Sequence, residues 1–246
     1  MTLRQVLPVD RDEPDLAALY AYPDGRWLRA NMVSSADGAA TLKGASAGLS
    51  SDTDRRLFAL LRTLSDVILV GAATARTERY KPARLQPEWA GLRAGRTPTP
   101  PIAVITRSLD LDPDSPLITA APADARTIVI TTARARQDVR AALEPRADVI
   151  VAGDEGVDFG AAEAALAERG HRRLLAEGGP HLLAELLEAD LLDELCLTIG
   201  PLLAGPGPGR IVAGGDAAAS LPLDLAHVLA EDSFLFCRYT RKNQDH

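Results

Sequence analysis

Three short segments carry side chains whose types and spacing could do chemistry. In Asn31-Met-Val-Ser34-Ser35-Ala-Asp37-Gly38, a carboxylate follows an apolar run and is flanked by hydroxyls. Asp37 in such a place could orient a polar heterocycle or handle a proton, with Asn31, Ser34 and Ser35 as neighbouring hydrogen-bonding groups. Asp-Gly is equally an ordinary turn dipeptide. In Val70-Gly71-Ala-Ala-Thr74, a glycine at a strand end lets a ligand approach the backbone, and a threonine hydroxyl follows from the next turn. In Glu177-Gly178-Gly179-Pro180-His181, two glycines bare backbone N–H groups at the start of a helix, where the dipole favours a phosphate or pyrophosphate. This is neither a dinucleotide Gly-x-Gly-x-x-Gly fingerprint nor a Walker loop, and a tight strand-to-helix turn would use the same residues.

Other candidates are weaker. Thr106-Arg107-Ser108 offers a guanidinium and two hydroxyls to a phosphate monoester such as the 2′-phosphate of NADP; a solvated loop arginine is the alternative. His171, His181, His227 and His246 are not spaced as metal ligands, and no metal is expected. Cys196 and Cys237 stand in apolar surroundings and read as buried free thiols. No Gly-x-Ser-x-Gly elbow supports serine catalysis.

The elements that must position these residues alternate along the chain. Trp27 to Ser34, Val67 to Val70, Ile102 to Thr106, Thr127 to Thr131, Asp148 to Ala152 and Arg173 to Ala176 read as strands, most of them continuous apolar runs buried on both faces. Between them fall helices: one capped by Ser50 or Ser51 with a Leu57, Leu60, Leu61, Leu64 stripe and a capping-box-like Asp54, then Phe159 to Arg169 closed by Gly170, then Pro180 to Ala189. Glu194 to Leu203 and Ser233 to Lys242 read as terminal strands, and Thr77 to Pro101 as the least structured part. The expectation is an α/β protein: a single three-layer domain over 1–246, with a mostly parallel central sheet of about eight strands and antiparallel C-terminal strands.

Composition narrows the partners. With 34 acidic against 27 basic residues the net charge is −7 over 246 residues, which argues against nucleic acid or an anionic membrane as partner. An aromatic share of 4% leaves few rings for stacking bases. The N-terminal residues hold no apolar h-region and no run of 18 apolar residues occurs, so a cytoplasmic protein is expected.

Taken in order, Arg29 to Gly38, Leu61 to Thr74, Leu175 to Leu183 and Leu192 to Gly205 resemble the reductase domain of the riboflavin-biosynthesis deaminase-reductase family, over about residues 26–242. The resemblance implies a dihydrofolate-reductase-like fold, NADPH as cofactor, a small heterocyclic substrate and a homodimer. It implies that Gly71 and Thr74 line the cofactor, that Glu177, Gly178 and Gly179 hold its pyrophosphate region, and that Thr106, Arg107 and Ser108 receive its 2′-phosphate. Asn31, Ser34, Ser35 and Asp37 would face substrate and nicotinamide. The implied reaction is hydride transfer to the ribosyl C1′ of 5-amino-6-(5-phosphoribosylamino)uracil. Two departures stand out. No zinc-deaminase signature is present, so deamination is expected elsewhere. Where many members carry an Asp-Asn-Pro-type stretch, this chain has Arg76 to Pro82, whose Arg79 and Lys81 would bind the substrate phosphate or stand as solvated loop charges. A dihydrofolate or pterin reductase, with Asp37 on the pterin's amino-pyrimidine edge, and a non-catalytic nucleotide-binding module stay open as alternatives.

Overall fold

The computed structural model describes residues 2–215 and 220–242; His246 lies outside them. In chain order the elements are strands β1 (Arg4–Leu7) and β2 (Arg11–Asp12), helix α1 (Leu16–Leu19), β3 (Trp27–Ser35), α2 (Asp52–Leu64), β4 (Val67–Gly71), α3 (Ala72–Thr77), β5 (Ile102–Ile105), α4 (Pro116–Thr119), β6 (Ile128–Thr131), α5 (Gln137–Leu143), β7 (Asp148–Val151), α6 (Phe159–Glu168), β8 (Arg173–Ala176), α7 (Pro180–Glu188), β9 (Glu194–Gly200), β10 (Leu223–Glu231) and β11 (Phe234–Arg241).

One sheet runs through the described residues in the order β2-β1-β10-β11-β9-β3-β8-β4-β5-β6-β7. The seven strands from β9 to β7 pair in parallel. The pairs from β9 through β11, β10 and β1 to β2 are antiparallel. The mostly parallel sheet with antiparallel C-terminal strands is therefore the observed architecture, with eleven strands where about eight are expected. The expected strand 194–203 stops at Gly200, and β10 falls where no strand is expected.

Parallel strands must be covered on both faces. Along β4 the side chains alternate between two cores. Ile68 and Val70 join Leu57, Leu60 and Leu61 of α2 on one face. Val67 and Leu69 join Leu166 of α6 and Leu182, Leu183 and Leu186 of α7 on the other. This makes three layers. Each leucine so buried contributes roughly 1.5–3 kcal/mol.

The helix starts follow local chemistry. Ser51 Oγ accepts from the Asp54 amide at 3.1 Å and caps α2. The capping box is not closed, because the Asp54 carboxylate accepts instead from Ser50 Oγ and Thr198 Oγ1, each at 2.6 Å. Thr74 lies inside helix α3, not in a turn. The segment 77–101 holds a 3-10 turn, Pro87–Arg93, tied down by the buried Arg93, whose guanidinium donates to the carbonyls of Thr63 (2.9 Å) and Ser65 (2.6 Å). β8 is inserted between β3 and β4, so the loops leaving β3 and β4 part around it. A crevice opens over the carboxyl ends of these three strands, the place where open α/β sheets receive ligands.

Candidate functional site

That crevice is a cleft of about 480 Å³. Its walls come from β3 (Asn31, Met32, Val33), the following loop (Ala40, Thr41, Ser46), α2 (Asp54, Phe58), α3 (Ala73, Thr74, Thr77) with Tyr80 beyond it, and the Glu177-to-His181 turn. Of the residues singled out in the sequence, it brings together Asn31, Thr74, Glu177, Gly179, Pro180 and His181. Gly71 and Gly178 stand behind the wall, joined by a hydrogen bond from Gly71 N to Gly178 O at 2.9 Å. Ser34 and Ser35 are buried. Arg79 and Lys81 line a neighbouring groove with Arg62, Tyr80 and Arg84. Thr106, Arg107 and Ser108 lie outside both linings, at the end of β5: Thr106 is buried and its amide donates to Ile130 O at 3.0 Å, while Arg107 and Ser108 are exposed.

Asp37 is exposed and outside the cleft lining. Its carboxylate accepts from Ser35 Oγ and from the amides of Ala204 (3.0 Å) and Gly205 (2.9 Å), so it ties the loop after β9 to the end of β3. The Ser35 hydroxyl, then the Ala204 and Gly205 amides, hold its pKa down at about 2. It is an acceptor at neutral pH.

Glu177 is held by its own neighbours. The Arg62 fork donates to both oxygens, Nε at 2.6 Å and Nη2 at 2.7 Å, and the Tyr80 hydroxyl donates to Oε2 at 2.7 Å. The Glu177 side chain is 1% exposed. The Arg62 guanidinium also lies 4.3 Å from the Phe58 ring centroid. Burial and the adjacent Glu177 charge raise the Tyr80 phenol well above its ordinary value, so it stays a donor. The clamp fixes α2 and Tyr80 to the end of β8 directly before the glycines.

The Gly178-Gly179 turn is packed to its limit. Gly178 has φ +83°, a left-handed conformation that favours glycine, and Met32 Sδ lies 3.2 Å from where its Cβ would be. A Cβ on Gly179 would run into Thr74 Oγ1. No side chain caps α7, whose first residue is Pro180, so the amides at its start have no side-chain acceptor, and Gly179, Pro180 and His181 line the cleft.

Asp54, Arg62 and Tyr80 are site residues that sequence reasoning missed. Asp54 reads there only as a cap. Its partner Thr198 is 144 residues away, and the Arg62 and Tyr80 contacts to Glu177 span 115 and 97 residues, so no local spacing carries a signal. Among the described residues, no three His, Cys, Asp or Glu side chains converge as metal ligands, and no helix is long and apolar enough to cross a membrane.

The fold and cleft define an α/β protein built to take a ligand across the carboxyl edge of a parallel sheet, with a glycine turn at a helix start as one wall. The chain belongs to the RibD C-terminal domain family, which matches residues 26–234. It is 32% identical over 207 residues to a 2,5-diamino-6-ribosylamino-4(3H)-pyrimidinone 5′-phosphate reductase of Aquifex aeolicus, covering 82% of this chain and 88% of the relative. A protein of the same name from Methanothermobacter thermautotrophicus is 28% identical over 219 residues, covering 86% and 96%. Among solved structures, a pyrimidine reductase-like protein from Corynebacterium diphtheriae superposes with a TM-score of 0.83 at 28% identity, covering 93% of this chain and 99% of that one.

Proposed function

We propose that the protein is an NADPH-dependent reductase of a phosphoribosylamino-pyrimidine in riboflavin biosynthesis, working by hydride transfer to the ribosyl C1′. The observation that carries this reading is the cleft itself: in a chain of this family, Thr74, Gly179 and the open start of α7 meet Asn31 across one cavity. The residues present fit the cofactor. Gly179 stands against Thr74 Oγ1 with no room for a Cβ, so the cleft wall there is bare backbone, and the start of α7, without a side-chain cap, suits a pyrophosphate. NADPH, when bound, supplies the hydride.

The chain's part is alignment and desolvation. Gly178, Gly179 and Thr74 would hold the pyrophosphate side, and Gly71 fixes the turn through its bond to Gly178. Glu177 would contribute through the clamp that sets this turn, because its oxygens are already engaged. Thr106, Arg107 and Ser108 would receive the 2′-phosphate from the neighbouring strand end. Arg79 and Lys81, in the groove that shares Tyr80 with the cleft, would take the substrate phosphate. Asn31 would face the pyrimidine. Ser34 and Ser35 would act from their buried places at the end of β3, and Asp37, ionised and held by Ser35, would orient the substrate's hydroxyl-rich arm rather than deliver a proton. A homodimer in the cytoplasm is the proposed setting; sedimentation of the purified chain at twice the monomer mass would support the dimer, and monomer mass would remove it.

The test is NADPH binding by fluorescence, followed by NADPH oxidation with the phosphoribosylamino-pyrimidine and with dihydrofolate in parallel. Higher kcat/KM on the pyrimidine is expected. Preference for dihydrofolate would overturn the substrate, and absence of both binding and oxidation would overturn the reductase reading.

A further inference from the structure

Three carboxylates face the cleft, and their partners separate them. Glu177 is neutralised by Arg62. Glu78 is exposed on the rim and accepts from Ser46 N (3.3 Å) and Oγ (3.0 Å). Asp54 is half-buried and makes no ion pair among the described residues; it is oriented by two neutral hydroxyls, Ser50 Oγ on Oδ2 and Thr198 Oγ1 on Oδ1. An ionised carboxylate has about four acceptor directions, so each Asp54 oxygen retains one after these bonds. Arg55, the cation of α2 that also lines the cleft, is paired with Asp52, so Asp54 is a fixed carboxylate that suits a ligand edge of two adjacent N–H donors, which pairs with it in bidentate fashion.

Resting on the reductase reading above, we propose that Asp54 is a specificity residue that reads the N3–H and 2-amino edge of the pyrimidine, so that the substrate is the 2-amino-4-pyrimidinone and not the uracil. A uracil presents a carbonyl oxygen at C2, which would face Asp54 oxygen to oxygen. A site built around a donor rejects the analogue lacking it far more strongly than an apolar pocket rejects a change of size, because the buried acceptor is left unpaired. The placement of Asp54 serves this role. The first turn of α2 favours the anion, Thr198 anchors it from β9, and Asn31 offers an amide in the same cleft.

The experiment compares the phosphoribosylamino derivatives of 2,5-diamino-4-pyrimidinone and of 5-aminouracil on the full chain. It reads kcat/KM with NADPH, and Kd by calorimetry without it, for wild type and Asp54→Asn. Wild type is expected to favour the 2-amino compound by at least about a hundredfold in kcat/KM. Asp54→Asn, whose amide can donate to a C2 carbonyl, is expected to shrink that ratio at least tenfold through loss on the 2-amino compound alone, with the Kd ratio moving in parallel. Equal use of both compounds by wild type, preference for the uracil, or an equal loss on both in Asp54→Asn would each overturn the role of Asp54 while leaving the reductase reading standing. Turnover of neither compound would overturn the reductase reading, and the Kd ratio would still decide Asp54: tighter binding of the 2-amino compound, lost in Asp54→Asn, supports it, and equal Kd values remove it.

Discussion

At Asp37 and Gly179 two short motifs lead to different kinds of prediction. The sequence offers Asp37 orientation, proton handling or a plain turn, and a carboxylate held at about 2 by Ser35, Ala204 and Gly205 is no proton donor at neutral pH. Asp37→Asn retains the shape but loses the charge and one acceptor, so turnover is expected to fall at least tenfold, roughly 1.4 kcal/mol, with NADPH affinity nearly intact. Unchanged turnover in steady-state assays would reduce Asp37 to an anchor for the 204–205 loop. Gly179→Ala acts by volume. The new methyl meets Thr74 Oγ1, and overpacking of this kind costs about 1–3 kcal/mol. Weaker NADPH binding is expected, with recovery in the double variant Gly179→Ala with Thr74→Ala; a double variant no better than the single one would rule out the steric account. Gly179 was legible as a cleft residue because its motif is contiguous, whereas Asp37, in an equally contiguous motif, lies outside the cleft lining because the distant 204–205 loop holds it. Asp54 and Tyr80 were not legible, because their partners come from distant strands.

Among the elements, the buried parallel strands were legible as unbroken apolar runs: β4, β5 and β6 are buried almost throughout. β10 was not, and its register gives the reason. A shift between Leu225 and His227 breaks the two-residue alternation on which a sequence reading depends. β1 and β2, with four and two residues, are too short to show a pattern. The joint between elements that matters most to the site was equally invisible. Arg62 of α2 reaches Glu177 at the end of β8 and is 14% exposed against a partner 1% exposed. Removing one member of a buried pair strands the other, at a cost of about 3–5 kcal/mol. Arg62→Ala is therefore expected to lower unfolding free energy by that order in denaturant titrations. Tyr80→Phe, which removes one neutral donor, should lose only about 1 kcal/mol. Equal, small losses in both would mean that the clamp does not hold α2 to the sheet.

Over the whole molecule the net charge of −7 conceals where charge is concentrated in the interior. Arg29 and Glu194 are fully buried, paired at 2.5 Å, and Arg238 adds two further bonds at 2.9 Å. Burial alone would raise the Glu194 pKa, but Arg29 and Arg238 overcome it and hold the carboxylate at about 2. Beside this cluster His227 is 3% exposed, packed edge-on to Tyr20 at 4.9 Å, with no hydrogen-bond partner on Nε2. Burial, reinforced by Arg238 and Arg29 and partly opposed by Glu194, lowers its pKa from 6.5 to about 4. A group whose folded pKa is depressed contributes stability that is complete above its unfolded pKa and is lost as pH falls through the folded one. His227 therefore destabilises the fold between pH 6.5 and about 4, by at most about 3 kcal/mol, and Glu194 adds a second loss below its ordinary value of 4.5. Each arises where distant strands bring charges together, so neither composition nor spacing announces it. His227→Phe keeps a ring against Tyr20 and removes the proton uptake. Its unfolding free energy, followed by denaturant titration from pH 7 to pH 3, should fall less steeply than that of wild type down to about pH 4, and the two curves should become parallel below that, where Glu194 titrates in both. Identical slopes from pH 6.5 to 4 would assign acid sensitivity to other groups.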